Sequence, residues 1–275
     1  MSSLIEQLNE SAKYIQSAST ANPKIGIVLG SGLGNLATEI EVEQSIPYSD
    51  IPHFPVSTVE GHSGKLIFGK LNGVTVLAMA GRFHFYEGYT SAQVSYPIRV
   101  MKFLGIETIL LSNAAGSVNP DYKVGDLMII NDHISFFTHN PLIGKNEKGL
   151  GVRFPDMSEP YDKKIITLAK SIGEKLQLHL HEGVYTAVTG PTFETHAEYR
   201  LIKAIGGDVV GMSTVQETIV AVHAGMKVFA ISVVTDLGIR EDNNVITHEE
   251  VLEAANAAEP KLTSLFKELV VALNN

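Results

Sequence analysis

Seven short apolar runs, most of them stopping at a glycine or a polar residue and separated by stretches of helical spacing, limit this chain to few folds. The runs are residues 24–29, 65–68, 74–79, 107–112, 127–130, 182–188 and 227–234. Segments of that length that are apolar on both faces read as buried strands. Between them, Leu4, Leu8, Ala12 and Ile15 share one helical face before Pro23, and Thr90 with Gln93 forms a capping box that should open a helix over 91–103. Residues 163–176 also read as a helix. Ser213 with Gln216 and Thr214 with Glu217 both satisfy the same box, as does Thr247 with Glu250 ahead of a C-terminal helix that Pro260 should kink or restart. This alternation predicts an α/β fold: a single domain over residues 1–275 whose mixed, largely parallel, twisted sheet is surrounded by helices. With 275 residues and 44% hydrophobic content, the chain can bury a large core.

Charge narrows the range of partners. Asp and Glu number 30 against 21 Lys and Arg, for a formal net charge of -9, and no basic block occurs, so neither nucleic acid nor an anionic membrane is an expected partner. A small anionic ligand stays compatible, because local groups set a pocket's field. The absence of cysteine excludes a disulfide framework, a thiolate zinc site and a cysteine nucleophile, and suits a reducing compartment. The opening residues lack the basic and apolar regions of a signal peptide, and no apolar run approaches the roughly 20 residues needed to cross a bilayer. A cytoplasmic protein is expected.

Chemistry gathers at the ends of the runs. After 24–29 comes Gly30-Ser31-Gly32-Leu33-Gly34, where missing side chains let backbone N–H groups approach a ligand. A dinucleotide site would want glycine where Asn35 stands, and a second strand ending in an acid where Pro47, Pro52 and Pro55 interrupt the chain. Phosphate or another small anion near Ser31 is favoured over NAD. After 74–79, Arg82, His84 and Tyr86 recur at every second residue, so an extended chain points all three one way. They offer a forked cation, a second donor for an oxyanion and a ring able to cover a sugar; the competing reading is an edge strand with a solvated face. His62 sits in a loop, where a lone histidine is usually just solvated.

Asn113-Ala114-Ala115-Gly116-Ser117 leaves room for a ligand or is a plain strand exit. Past 182–188, Gly190-Pro191 forces a turn, and Phe193 beside Glu194 suits a flat heterocycle, the ring stacking and the carboxylate accepting from ring N–H groups. Glu194 equally suits a helix N-terminus, and Ser213 is an anion donor or simply a cap. Asp236 stands at the mouth of the last strand, unfavourable for a carboxylate unless it is hydrated, paired or used. His179 and His181 flank Leu180 with no further ligand at metal spacing, so no metal is expected. Residues 140–160 are aperiodic over a length that usually means a lid, a contact surface or disorder, and 240–244 is a polar loop.

Taken in order, Gly30-Ser31-Gly32-Leu33-Gly34, Gly61-His62, the segment from Gly81 to Tyr89, Asn113-Ala114-Ala115-Gly116, Arg153-Phe154-Pro155, Gly190-Pro191-x-Phe193-Glu194-Thr195, Gly211-Met212-Ser213-Thr214 and His248-Glu249-Glu250 resemble the trimeric purine nucleoside phosphorylases. The match runs over roughly residues 24–252. That family splits purine (deoxy)ribonucleosides with inorganic phosphate into free base and (deoxy)ribose 1-phosphate, without cofactor or metal. The resemblance implies that Ser31, Arg82, His84, Ser213 and the backbone of Ala114 hold phosphate, with His62 closing over it. It implies Tyr86 and Met212 along the ribose, His248 at its 5′-hydroxyl, Phe193, Glu194, Thr235 and Asp236 at the base, and Val210 and Gly211 along the base's face. Phe154 would come from a neighbouring subunit, making a homotrimer the complete unit. Catalysis on that reading falls to His84, Glu194, Asp236 and His248, with phosphate as the attacking co-substrate and hydrogen bonding or protonation at purine N7.

Asp236 departs from the family's 6-oxopurine pattern, which has asparagine after the threonine at the last strand end; the related methylthioadenosine phosphorylases carry aspartate there. An ionised Asp236 repels O6 and accepts from a 6-amino group, whereas a protonated one donates to N7. Glu194 in the same pocket should raise one of the two pKa values. Inosine and guanosine are expected to remain the favoured substrates through Glu194, with adenosine tolerated better than in asparagine-bearing relatives. Competing functions are a methylthioadenosine phosphorylase, which a polar His248 fits less well, and a nucleoside-binding module without turnover, against which the near-complete set of polar groups argues.

Overall fold

The computed structural model describes residues 3–56, 63–239 and 246–274. Ser3 caps α1 (Leu4–Ala18), whose face of Leu8, Ser11, Ala12 and Ile15 is buried. Next come β1 (Ile25–Val28), buried throughout, and β2 (Glu41–Pro47), a strand where prolines argued against one. β2 is mostly exposed and pairs with a single neighbour, so neither weak alternation nor a terminal proline disqualifies it. β3 (Lys65–Leu71) and β4 (Val74–Ala80) form a hairpin whose two-residue turn, Asn72-Gly73, has φ of 50° and 80°, as the twist-matched turn requires.

The helix expected over 91–103 is two pieces, α2 (Ser91–Val94) and α3 (Tyr96–Phe103). Thr90 and Gln93 open the first as expected, and Pro97, which has no N–H, stands in the first turn of the second, so the chain restarts at Ser95. β5 (Thr108–Ser117) continues through the stretch read as a strand exit, because a neighbouring strand keeps pairing with it. There follow β6 (Leu127–Ile134), α4 (Lys163–Lys175) capped by Asp162, β7 (Leu180–Ala187), α5 (His196–Ala204), β8 (Val209–Gly211), α6 (Val215–His223) and β9 (Lys227–Leu237). Residues 140–160 are turns and bends with no helix or strand. α7 (His248–Asn274) runs through Pro260 without restarting: burial of Val251, Ala255, Leu262, Leu265, Phe266 and Leu269 outweighs the proline penalty of about 3 kcal/mol.

The nine strands of the described residues form one sheet in the order β2-β3-β4-β1-β5-β8-β7-β6-β9, and β9 also pairs with β5, so the last five close into a ring. β1–β4, β1–β5, β5–β9, β6–β7 and β7–β8 are parallel; β2–β3, β3–β4, β5–β8 and β6–β9 are antiparallel. The mixed, largely parallel expectation holds. Its functional consequence is that β4, β1, β5 and β9 run side by side in one direction, and the residues at and beyond their C-terminal ends share one side of the molecule.

Candidate active site

A cavity of about 520 Å³ lies beyond those strand ends, within the roughly 300–1,000 Å³ of small-molecule sites. Arg82 follows β4 and is 1% exposed. Glu217 of α6 holds it by a two-point pair, Nε donating to Oε1 at 3.1 Å and Nη2 to Oε2 at 2.8 Å. Its Nη1 donates to the Ser112 carbonyl at 2.6 Å and to Ser213 Oγ at 3.4 Å. Glu217 Oε2 also accepts from Thr214 N at 3.0 Å, so one carboxylate orients both the guanidinium and the start of α6. The N-cap is Thr214, paired with Glu217 rather than Ser213 with Gln216, and its φ of 72° is strained by about 1–3 kcal/mol for a residue with a side chain. Asn113 Nδ2 holds the Thr214 hydroxyl at 2.9 Å, while Ser213 N donates to the buried Tyr185 Oη at 3.2 Å. Ser213 is thereby aimed at Arg82.

The extended chain expected from Arg82 to Tyr86 ends at His84, whose φ and ψ are -124° and 152°. Glu87 Oε1 accepts from His84 N at 2.7 Å and lies 3.1 Å from Nδ1, folding Phe85–Glu87 into a single 3-10 turn that Gly88, at φ 95°, terminates. Tyr86 therefore reaches the cavity from a turn and not by alternation. Its ring stacks on His84, with centroids 4.7 Å apart and planes 15° apart. Burial lowers the His84 pKa from the usual imidazole value against the opposing pull of Glu87, and pushes the Tyr86 phenol up to about 12.

Facing these groups are Phe193, Glu194, Thr235 and Asp236. Thr195 caps α5 in a reciprocal box with Glu198, so Glu194 precedes the cap and is not the acid that serves the helix terminus. Burial raises the Glu194 pKa, opposed by hydrogen bonds from its own backbone and Tyr199 and reinforced by the Asp236 charge. Asp236 is buried on β9, with Oδ1 3.0 Å from the Thr235 hydroxyl. A Cβ on Gly116 would lie 2.6 Å from Asp236 Oδ2, and one on Gly211 2.3 Å from Tyr185 Oη, so both positions need glycine.

Ser31, Arg82, His84, Ala114 and Ser213 line the same cavity as Tyr86, Phe193, Glu194, Val210, Gly211, Met212, Thr235, Asp236 and His248. His62 and the 240–244 loop lie outside the described residues. Phe154 does not line the cavity; it is 86% exposed, with the Arg153 guanidinium carbon 5.4 Å from its ring centroid. His181 pairs with Asp126 and packs on Tyr122, and among the described residues no group of three His, Cys, Asp or Glu has metal-holding geometry. Glu87 and Asn113, legible in the sequence only as parts of longer motifs, and Val251 also line the cavity, and Glu217 and Thr214 support it. Glu217 had a legible signal, a charge among Val215, Ile219 and Val220, but the capping pattern accounted for it alone.

Buried cationic and hydroxyl groups and an acidic, aromatic wall open into one cavity at parallel strand ends, the place and donor set of an α/β enzyme site for a small polar ligand. The family model described as the phosphorylase superfamily matches residues 24–271. "Purine nucleoside phosphorylase 1" of Geobacillus stearothermophilus is 51% identical over 263 residues, 96% of each chain. Schistosoma mansoni purine nucleoside phosphorylase in complex with adenosine superposes with a TM-score of 0.92 at 42% identity, covering 97% of this chain and 96% of that one. A Schistosoma mansoni purine nucleoside phosphorylase in complex with inosine gives 0.92 at 41%, with coverage of 97% and 96%. This chain belongs to the phosphorylase superfamily and, within it, to the purine nucleoside phosphorylases. It is a pentosyltransferase.

Proposed function

We propose that the enzyme splits inosine and guanosine preferentially and accepts adenosine through Asp236, with inorganic phosphate as co-substrate and no cofactor or metal. Arg82, Ser213, Ser31, His84 and the Ala114 backbone hold phosphate, His62 covers it, and a phosphate oxygen forms the new bond to C1′ as the C1′–N9 bond breaks. The bonding pair leaves with the purine, whose growing negative charge is met by a proton from Glu194, while Asp236 accepts from a 6-amino group where the base carries one. Glu194, its pKa raised by burial, retains a proton to higher pH than a free carboxylate and so has one to share with the base. Tyr86 and Met212 flank the ribose, Phe193, Val210, Gly211 and Thr235 the base, and His248 at the first residue of α7 meets the 5′-hydroxyl.

A homotrimer completes the site, with Phe154 entering the neighbouring cavity. Supporting this, Phe136, Ile143, Val152 and Phe154 are 91%, 76%, 65% and 86% exposed along one irregular stretch, apolar side chains that a neighbouring subunit would cover. A cytoplasmic location suits a cysteine-free chain, and among the described residues no helix is long and apolar enough to cross a membrane.

The observation that carries the reading is that Arg82 and Ser213 share a cavity with Glu194 and Asp236. Its test is hypoxanthine release from inosine with and without phosphate. Release only with phosphate is expected; release without it means hydrolysis, and no release means binding alone.

A further inference from the structure

Two arms of the site come from opposite ends of the chain: Ser31 from the loop after β1, and His248 with Val251 from the start of α7. Gly32, at φ 72°, seats the loop against the helix; a Cβ there would lie 2.6 Å from Ala255 Cβ and 3.4 Å from the Leu252 carbonyl. One helical turn further on stands Glu259, 2% exposed. It accepts from Leu36 N at 2.8 Å and from Asn35 Nδ2 at 2.6 Å. Both donors lie in the first turn of the short 3-10 helix Gly34–Glu39, so the carboxylate serves as its cap from across the fold. Lys267 adds an outer tie to Glu39 at 2.8 Å.

Val251, Ala255 and Glu259 are spaced by four residues, so one stripe of α7 lines the cavity, packs on Gly32 and grips residues 35 and 36. A buried carboxylate is unfavourable compared with an apolar side chain unless N–H groups replace its water. Among the described residues, both side-chain hydrogen bonds of Glu259 go to the segment that follows Ser31.

We propose that Glu259 is a positioning residue that locks the phosphate loop to the nucleoside-contacting helix, so that each substrate meets a site already set for the other. The inference rests on the reading of Ser31 and His248 as phosphate and nucleoside ligands. Glu259→Met nearly keeps the volume but removes both acceptors, that of Leu36 N and that of Asn35 Nδ2. The KM values for phosphate and for inosine should both rise about five- to tenfold while kcat changes less than about twofold. In Glu259→Gln the amide oxygen still accepts from Leu36 N, and the amide N–H donates to an Asn35 side chain flipped to present Oδ1. Both KM values should then stay within about twofold of wild type.

Unchanged KM values in Glu259→Met, a rise for one substrate alone, or KM values in Glu259→Gln as high as those in Glu259→Met would each overturn the proposal. Failure of the wild-type enzyme to release hypoxanthine from inosine and phosphate would instead overturn the reading of the site.

Discussion

Replacing Glu217 with glutamine tests whether Arg82 depends on its carboxylate. The side chains are 1% and 3% exposed, so the pair is fully desolvated. Removing one member of such a pair leaves a buried charge uncompensated and costs about 3–5 kcal/mol. Glutamine still offers one acceptor to the guanidinium, which places Glu217→Gln near the lower figure of about 3 kcal/mol. For a chain of this size each kcal/mol shifts the melting temperature by about 2–4 °C, so a fall of roughly 6–12 °C is expected in phosphate-free buffer. Phosphate at about 100 times its Kd stabilises the native state by about 2.7 kcal/mol. In the variant it also supplies the missing negative charge, so the phosphate-induced rise in melting temperature should exceed that of wild type. Thermal melting of both proteins with and without phosphate measures this. A fall of less than about 2 °C without phosphate, or a smaller phosphate response in the variant, would refute the argument that Glu217 is the counter-charge holding Arg82 in place.

Asp236→Asn should raise the inosine-to-adenosine ratio of kcat/KM by about three- to tenfold, since it exchanges an acceptor for an amide that also donates; an unchanged ratio removes Asp236 from base selection. Phe154→Ala should lower kcat/KM for inosine by about tenfold with little change in melting temperature, because the exposed ring adds little to its own subunit. Full activity would place it outside the neighbouring cavity. Stability should fall as pH drops from 7.5 to 5.5, followed by thermal melting. His84, His133 and His223 all have pKa values lowered by burial, so below the unfolded value near 6.5 the unfolded chain binds more protons than the native one. Glu194, with a raised pKa, acts in the opposite sense above about 4.5, and a flat profile would mean that its contribution cancels theirs.

Periodicity and capping chemistry made most elements legible. Strands β1, β4, β6 and β7 coincide with apolar runs, and the boxes at Thr90 and Thr247 stand where helices begin. What failed depends on partners distant in sequence. β2 is a strand because β3 lies beside it, and β5 extends to Ser117 because β9 continues to pair. Closure of β5 with β9 leaves no local trace. In the site, chemically distinctive residues such as Arg82, Glu194 and Asp236 were visible singly, but the supports that orient them were not. Glu217 meets Arg82 across 135 positions and Glu259 meets Leu36 across 223, beyond the reach of any spacing rule. Tyr86 was placed in the right cavity by the wrong backbone, since only the Glu87 carboxylate bonding back to His84 reveals the turn.

Ring closure at one side of the sheet leaves β2 as the lone lateral border among the described strands. That border carries Glu41 and Glu43 outward, an irregular register between Val42 and Gln44, and Pro47 at its end. Each of these discourages another chain from adding a strand. Open-ended stacking of copies strand against strand is thereby disfavoured at this border.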